Sequence, residues 1–352
     1  GPQLYRRGKY YYLISAEGGT GSEHAVTVAR SRALLGPYEV DPQTPLLTSC
    51  GRPDLPLQRA GHTSLVETER GEPYIAHLCS RPIGPERRSI LGRETALQRC
   101  AWTPDGWLRL ATGEHFPAEV VRGPALPSAA FIVPSGKDDF DAPRLQVQYQ
   151  TLRTPADSSW LSLAARPSQL RLWGREAPSS LHRQSVVARR VQTSHCRATT
   201  LVEFNPEHFM ALAGLLCWYD TRTHYYLAIT RDETLGRCLR LFMTSAGVVT
   251  ELMSPVPLQR PGRVLLRAEI AEIALHFSFA LEGEPLTGIG PICDATLLSD
   301  EAPKGIEPFH GSFTGAMFGV GAHDMSGGRA HADFEYLWYE DIQHGAALDS
   351  DE

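Results

Sequence analysis

Leu275-His276-Phe277-Ser278-Phe279-Ala280-Leu281 alternates an apolar residue with a polar or small one along its whole length. Side chains of a strand point to opposite faces with a period of two. Leu275, Phe277, Phe279 and Leu281 therefore share one face, and His276, Ser278 and Ala280 the other, as in a half-buried antiparallel strand. Runs of the same character stand at 185–191, 199–204, 225–230, 264–270 and 334–339. Together they predict a β-sandwich of two stacked sheets over residues 138–342.

Toward the N-terminus the rhythm changes. Residues 1–130 are short apolar runs separated by frequent turn signals, which is how an all-β blade or barrel architecture reads. Tyr10-Tyr11-Tyr12-Leu13-Ile14 and Ala25-Val26-Thr27-Val28-Ala29 are strands joined through Gly18-Gly19-Thr20-Gly21, with further strands at 63–68, 74–79, 95–102 and 107–110. Gly or Pro marks the turns, as in Glu69-Arg70-Gly71-Glu72-Pro73 and Pro104-Asp105-Gly106. No segment has a helical period. Between the two regions, residues 124–143 carry Pro127, Pro134, Gly136 and the acidic pair Asp138-Asp139, and read as the connection between domains. The tail 343–352 is small and acidic, and is expected to be disordered.

A chain of 352 residues with 42% hydrophobic residues is long enough for two cores. Its formal charge of −6, from 34 basic against 40 acidic residues, argues against nucleic acid or an anionic membrane as partner and suits a neutral or weakly polar substrate. No run approaches the roughly 20 apolar residues of a membrane helix, and the start has no signal-peptide shape. The chain reads as soluble, with its compartment, extracellular or cytoplasmic, left open. Seven cysteines, at 50, 79, 100, 196, 217, 238 and 293, never stand in C-x-x-C spacing. They read as free thiols, with Cys217 in the core.

Several stretches taken together resemble one family. Gly1-Pro2-Gln3-Leu4-Tyr5, Lys9-Tyr10-Tyr11-Tyr12-Leu13, Ala16-Glu17-Gly18-Gly19-Thr20 and His24 to Ser31 resemble the β-xylosidases of glycoside hydrolase family 43. So do Ala60-Gly61-His62, His77-Leu78-Cys79-Ser80-Arg81-Pro82, Leu91-Gly92-Arg93-Glu94-Thr95 and Asp105-Gly106-Trp107-Leu108-Arg109-Leu110. In the second region the resemblance continues through Leu170-Arg171-Leu172-Trp173-Gly174, Phe313-Thr314-Gly315-Ala316 and Ala332-Asp333-Phe334. It implies a five-bladed β-propeller carrying the active-site pocket, of which 1–130 supplies the last blades, followed by a lectin-like, concanavalin-like β-sandwich. It also implies hydrolysis with inversion, by an Asp base that activates water and a Glu acid that protonates the leaving oxygen. The carboxyl groups of an inverting pair stand about 6.5–9.5 Å apart so that water fits between base and sugar. A third Asp holds the acid and raises its pKa. In the family the acid directly precedes the Gly-Pro that appears here as Gly1-Pro2, and the other two lie further upstream, so no catalytic carboxylate is expected within this numbering. An N-terminal propeller fragment is then the partner that completes the active site.

By the same resemblance, His62 touches substrate near the pocket floor or ligates a central divalent cation; read without it, His62 is a hydrogen-bonded core histidine. Arg93 is expected to aim its fork at sugar hydroxyls and the pocket carboxylates, against a surface pair with Glu94. Thr20 either lines the pocket or caps the turn; His24 leans to a structural role. Phe313 is expected to close the pocket as an apolar wall, against a place in the sandwich core. No cofactor is required. A structural calcium held by Asp333 with Asp138 or Asp139 is the remaining metal candidate, weakened because Ala164-Ala165 stand where relatives tend to offer an acidic ligand. The expected substrate is a xylo-oligosaccharide or arabinoxylan, with release of α-L-arabinofuranosyl groups as the alternative activity and a non-catalytic carbohydrate-binding role as the alternative class. A homo-oligomer is compatible with this reading.

Overall fold

The computed structural model describes residues 1–131, 135–302 and 313–342. They fall into two units, Gly1–Pro82 with Arg93–Ile132, and Ile83–Gly92 with Val133–Glu352.

The first unit holds two antiparallel sheets. One runs β1 (Gln3–Arg7), β2 (Tyr10–Glu17), β3 (Ala25–Ser31), β4 (Glu39–Val40), with β5 (Leu47–Thr48) also on β3. The other runs β6 (Gln58–Glu67), β7 (Pro73–Ser80), β8 (Glu94–Trp102), β9 (Leu108–Leu110). Each is a short up-and-down meander, the form of a propeller blade. Their facing residues make one core around Tyr12, Ile14, Val26, Val28, Ile75 and Leu108. Polar cross-links join β1 to β6: Gln3 Nε2 donates to Ser64 Oγ at 2.7 Å, and the Leu65 amide donates to Tyr5 Oη at 2.9 Å. The guanidinium of Arg30 lies 3.9 Å from the ring centroid of Trp107, a member of the same core, in a cation–π contact.

The second unit is a sandwich of two eight-stranded antiparallel sheets. The first orders Leu161–Ser162, Leu170–Trp173, His331–Asp341, His195–Glu203, Arg263–Ala271, Ala274–Leu281 and Thr287–Asp294, with Lys137–Asp138 added on His331–Asp341. The second orders Tyr149–Thr151, Ser185–Arg190, Met317–Asp324, Ala211–Asp220, Thr223–Asp232, Gly236–Ser245 and Val248–Glu251, with Val256–Pro257 added on Gly236–Ser245. One 3-10 turn at Ala295–Leu297, capped by Asp294, is present, and among the described residues there is no α-helix. In the diagnostic strand Leu275 and Phe277 are buried, while Phe279 and Leu281 pack partly buried against the same core. A bulge in its pairing with Thr287–Asp294 shifts the register between Leu275 and Phe277.

Three details differ from the sequence reading. Residues 83–92 belong with the second unit rather than the first, because Ile90 and Leu91 are buried in the sandwich core. Asp138 is part of a short strand opposite Leu337 rather than of an open linker. The strands Ala211–Asp220 and Met317–Asp324 went unread because they are buried on both faces, so no alternation marks them. The tail expected to be disordered lies outside the described residues. All seven cysteines are free, with Cys217 fully buried and Cys50 exposed.

Candidate active site

At one end of the first unit, the loop between β2 and β3 is closed tightly on itself. Gly18 has φ +71°, and a Cβ there would lie 1.9 Å from the Glu23 carbonyl oxygen, so only glycine fits. The loop thereby presents the Thr20 carbonyl, which accepts a hydrogen bond from Arg93 Nη2 at 3.1 Å. Arg93 stands one residue before β8, not inside a strand, and is half-buried. Its neighbour Glu94 is held by Arg81, Nη2 to Oε1 at 2.7 Å, with two further hydrogen bonds from Arg81 Nε. Glu94 is thus shared with a second cation, Arg81, whatever else it meets. Thr20 contributes its carbonyl to Arg93, and its side chain is exposed.

The strand β6 departs twice from regular pairing with β7, between Gln58 and Gly61 and again between Gly61 and Thr63. Arg59 and His62 both take positive φ, 55° and 49°. Non-glycine residues rarely sit there, and bulges of this kind re-aim side chains at functional sites. Here the bulge turns His62 outward: it is exposed, while its neighbours Gly61 and Thr63 are buried. It is therefore not the core histidine of the alternative reading. A Cβ on Gly1 would stand 3.5 Å from Cε1 and from Nε2 of His62, so the imidazole faces the start of β1.

His24, which sequence reasoning leaned toward a structural role, is the buried base of this corner. It is 1% exposed, and its Nδ1 donates to the Arg59 carbonyl at 3.1 Å, which fixes the tautomer. The edge of its ring lies against Gly61, where a Cβ would be 2.4 Å from Cδ2. Burial lowers its pKa; the hydrogen bond to Arg59 raises it, and the charges of His62 and Arg93 lower it again. The net shift is downward, so His24 is neutral near pH 7. Behind it His77 is likewise buried, with Nδ1 donating to the Leu78 carbonyl at 3.0 Å and Nε2 facing Gln98 Nε2 at 3.4 Å. Gln98 is itself clamped to Ala118, through its Nε2 to the carbonyl at 2.9 Å and the Ala118 amide to its Oε1 at 3.0 Å. The structure therefore brings Gly1, Thr20, His24, His62 and Arg93 together. Sequence reasoning missed Gly61 and Gln98 as their supports. A glycine inside a strand pattern was the available signal for the first; for the second there was none.

The metal candidates fare differently. Among the described residues no group of three or more His, Cys, Asp or Glu is arranged to hold a metal ion. His62 offers one exposed imidazole. Asp333 is already saturated by cations. Arg171 donates to it from Nε and Nη2, both at 2.7 Å, and Arg166 Nη1 at 3.0 Å. Burial pushes the Asp333 carboxyl upward, but the hydrogen bonds from Arg171 and Arg166 outweigh it and hold the pKa below the ordinary value. Asp138 Oδ1 accepts the Phe140 amide at 2.9 Å, and Asp139 pairs with Lys137 at 2.7 Å. The calcium set does not fit: two guanidinium groups already occupy Asp333, while Asp138 serves a backbone amide and Asp139 a lysine.

In the second unit Phe313 has φ +52° and is half-buried, outside the fully buried sandwich core. The chain after it is pinned by Ala316, whose amide donates to the Ile90 carbonyl at 2.6 Å.

Comparison with known proteins points to one family. Residues 1–108 match the family described as Glycosyl hydrolases family 43, and residues 137–340 match the Beta xylosidase C-terminal Concanavalin A-like domain. A xylosidase/arabinosidase of Humicola insolens is 40% identical over 98% of this chain and 64% of its own length. A xylan 1,3-β-xylosidase of a Vibrio species is 41% identical over 96% of this chain and 64% of its own length. The crystal structure of a xylan β-1,4-xylosidase from Bacillus halodurans C-125 superposes with a TM-score of 0.93 at 48% identity, covering 97% of this chain and 64% of that one. The chain thus spans 64% of the length of each of these relatives. The two sheets of the first unit are blades of the family's propeller, and the second unit is its concanavalin-like sandwich. The chain belongs to glycosyl hydrolase family 43.

Proposed function

We propose that this chain is part of an inverting exo-glycosidase that removes terminal β-1,4-xylosyl residues from xylo-oligosaccharides and xylan. The observation that carries the reading is the His62 imidazole set against Gly1 beside His24 and Arg93. A general acid borne directly before Gly1 would stand next to that corner. In this reading the acid Glu, the base Asp and the third Asp come from a propeller segment preceding Gly1, which completes the active site. Arg93, oriented through the Thr20 carbonyl, and His62 bind sugar hydroxyls and the carboxylates, and Phe313 contacts substrate. A guanidinium close by favours ionised carboxylates, which suits the base; the acid needs the opposite shift, and a like-charged Asp beside it supplies that.

Release of α-L-arabinofuranosyl groups is the second reading, favoured by the xylosidase/arabinosidase among the relatives. The complete protein, assayed side by side on aryl β-xyloside and aryl α-L-arabinofuranoside, tests both. Hydrolysis of the xyloside is expected to dominate, and activity on neither overturns the enzyme reading in favour of a carbohydrate-binding role. Linkage is decided by β-1,4- against β-1,3-xylobiose.

A further inference from the structure

The sandwich carries a groove of about 500 Å³ at the start of the Ala211–Asp220 strand. That volume lies within the range of about 300–1,000 Å³ usual for small-ligand clefts. Two residues of its apolar lining stand out in water: Phe209 is 59% exposed and Met325 45%. Both are held at their backbones. The Phe209 carbonyl accepts from Thr230 Oγ1 at 3.2 Å, and the Met325 amide donates to the Met210 carbonyl at 3.1 Å. Two exposed apolar side chains are thereby tied near each other over a floor that includes Phe242.

The polar lining is equally fixed. Arg240 is held between Asp232, at 2.7 Å, and Glu251, at 3.1 Å. Asp232 Oδ1 accepts the amides of Thr234 at 2.9 Å and Leu235 at 3.1 Å. The charged residues of the lining are Arg231 and Arg240 against Asp232 and Glu233, so their charges cancel. A balanced lining neither attracts nor repels an ion, and a neutral ligand suits it better than a charged one. An aromatic ring left in water beside rigid donors and acceptors matches a pyranose, which has an apolar C–H face and a rim of hydroxyl groups.

We infer that this groove is a second carbohydrate site, which takes a stretch of neutral β-xylan chain and holds the polymer without cleaving it. The choice of xylan rests on the proposed function; the class, a neutral sugar chain, rests on the groove.

The test uses the full-length protein, migrating through native gels that contain soluble arabinoxylan, with aryl β-xyloside hydrolysis measured in parallel. Phe209→Ala is expected to cut the retardation by arabinoxylan at least fivefold, and Phe209→Tyr to keep it. Both variants should hydrolyse the aryl xyloside within twofold of the parent rate, since Phe209 is no part of the active-site corner. Gels containing polygalacturonate should retard none of the three. Undiminished retardation of Phe209→Ala, or equal loss in both variants, overturns the inference. So does a change of oligomeric state in Phe209→Ala by light scattering, which identifies a second copy as the occupant. If no form cleaves the xyloside yet retardation still depends on Phe209, the enzymatic reading fails and the groove assignment stands.

Discussion

Replacing Gly61 by alanine probes the support of the active-site corner. The new methyl would fall 2.4 Å from His24 Cδ2, 2.5 Å from Nε2 and 2.6 Å from Cγ. Carbon atoms in contact prefer about 3.5–4.0 Å, so the ring must retreat by roughly 1 Å. It has little room to do so. His24 is 1% exposed, its Nδ1 is bonded to Arg59, and its own carbonyl accepts from Thr48 Oγ1 at 2.8 Å. Overpacking of this kind costs about 1–3 kcal/mol, and a ring that retreats far enough to leave the Arg59 carbonyl adds about 1–3 kcal/mol for an unmet buried donor. The expected loss is roughly 2–6 kcal/mol in urea unfolding of the full-length protein. His62 is the adjoining residue, and a displacement of about 1 Å at a reacting site lowers rates by up to about 100-fold. Turnover on aryl xyloside should therefore fall at least tenfold. The control is His24→Ala, which empties the space the methyl needs. In the double variant the two penalties should couple by at least about 1 kcal/mol. A Gly61→Ala protein within about 0.5 kcal/mol of the parent, the spread of neutral surface changes, and with unchanged turnover refutes the packing argument.

Arg93→Ala in the complete enzyme should lower kcat on xylosides by two or more orders of magnitude, on the order of 3 kcal/mol of transition-state stabilisation, with unfolding little changed; normal kinetics would remove Arg93 from the site. Phe313→Ala should raise KM for short xylosides more than it lowers kcat, because an apolar wall holds ground and transition states alike. Loss of thermal stability with normal kinetics would instead place its role in the sandwich. Burial lowers the pKa of His224 to about 4 and of His323 to about 3, in the latter case with help from the charges of His224 and Arg175. Both are neutral when folded but titrate near 6.5 when unfolded, so their contribution is full above pH 6.5 and is lost as pH falls toward the folded values. Each costs about 1.4 kcal/mol per pH unit, so stability should drop by roughly 3 kcal/mol per unit between about pH 6 and 4. Urea midpoints at pH 7, 5.5 and 4.5 measure this, and His323→Gln should flatten the slope by about half.

The half-buried strands were legible because alternation is a property of the sequence itself. Leu275 and Phe277 read correctly on that ground. Ala211–Asp220 offered only a continuous apolar run, since each of Ala211 through Tyr219 is buried, and such a run has no period to read. At the site, the resemblance marked His62 and Arg93, but the bulge that turns His62 outward depends on φ values and register, which no local propensity encodes. The partners of Asp333 could not be read for a related reason. A carboxylate in a loop-like motif suits a cation equally well whether that cation is calcium or a guanidinium, and only the fold brought Arg166 and Arg171 to it. Ile90 and Leu91 look like blade residues in sequence, and it is their burial that assigns 83–92 to the sandwich.

The central claim is that this chain contributes the binding corner of an inverting xylosidase whose carboxylates lie before Gly1. Hydrolysis of aryl β-xyloside, followed by NMR of the first anomer released, tests it when run on the full-length protein and on residues 1–352 alone. The full-length protein should release α-xylose first, the mark of inversion. The isolated 352-residue chain should release none, because a missing acid cannot be replaced by positioning alone. Robust hydrolysis by residues 1–352, or β-xylose as the first product, would contradict the account.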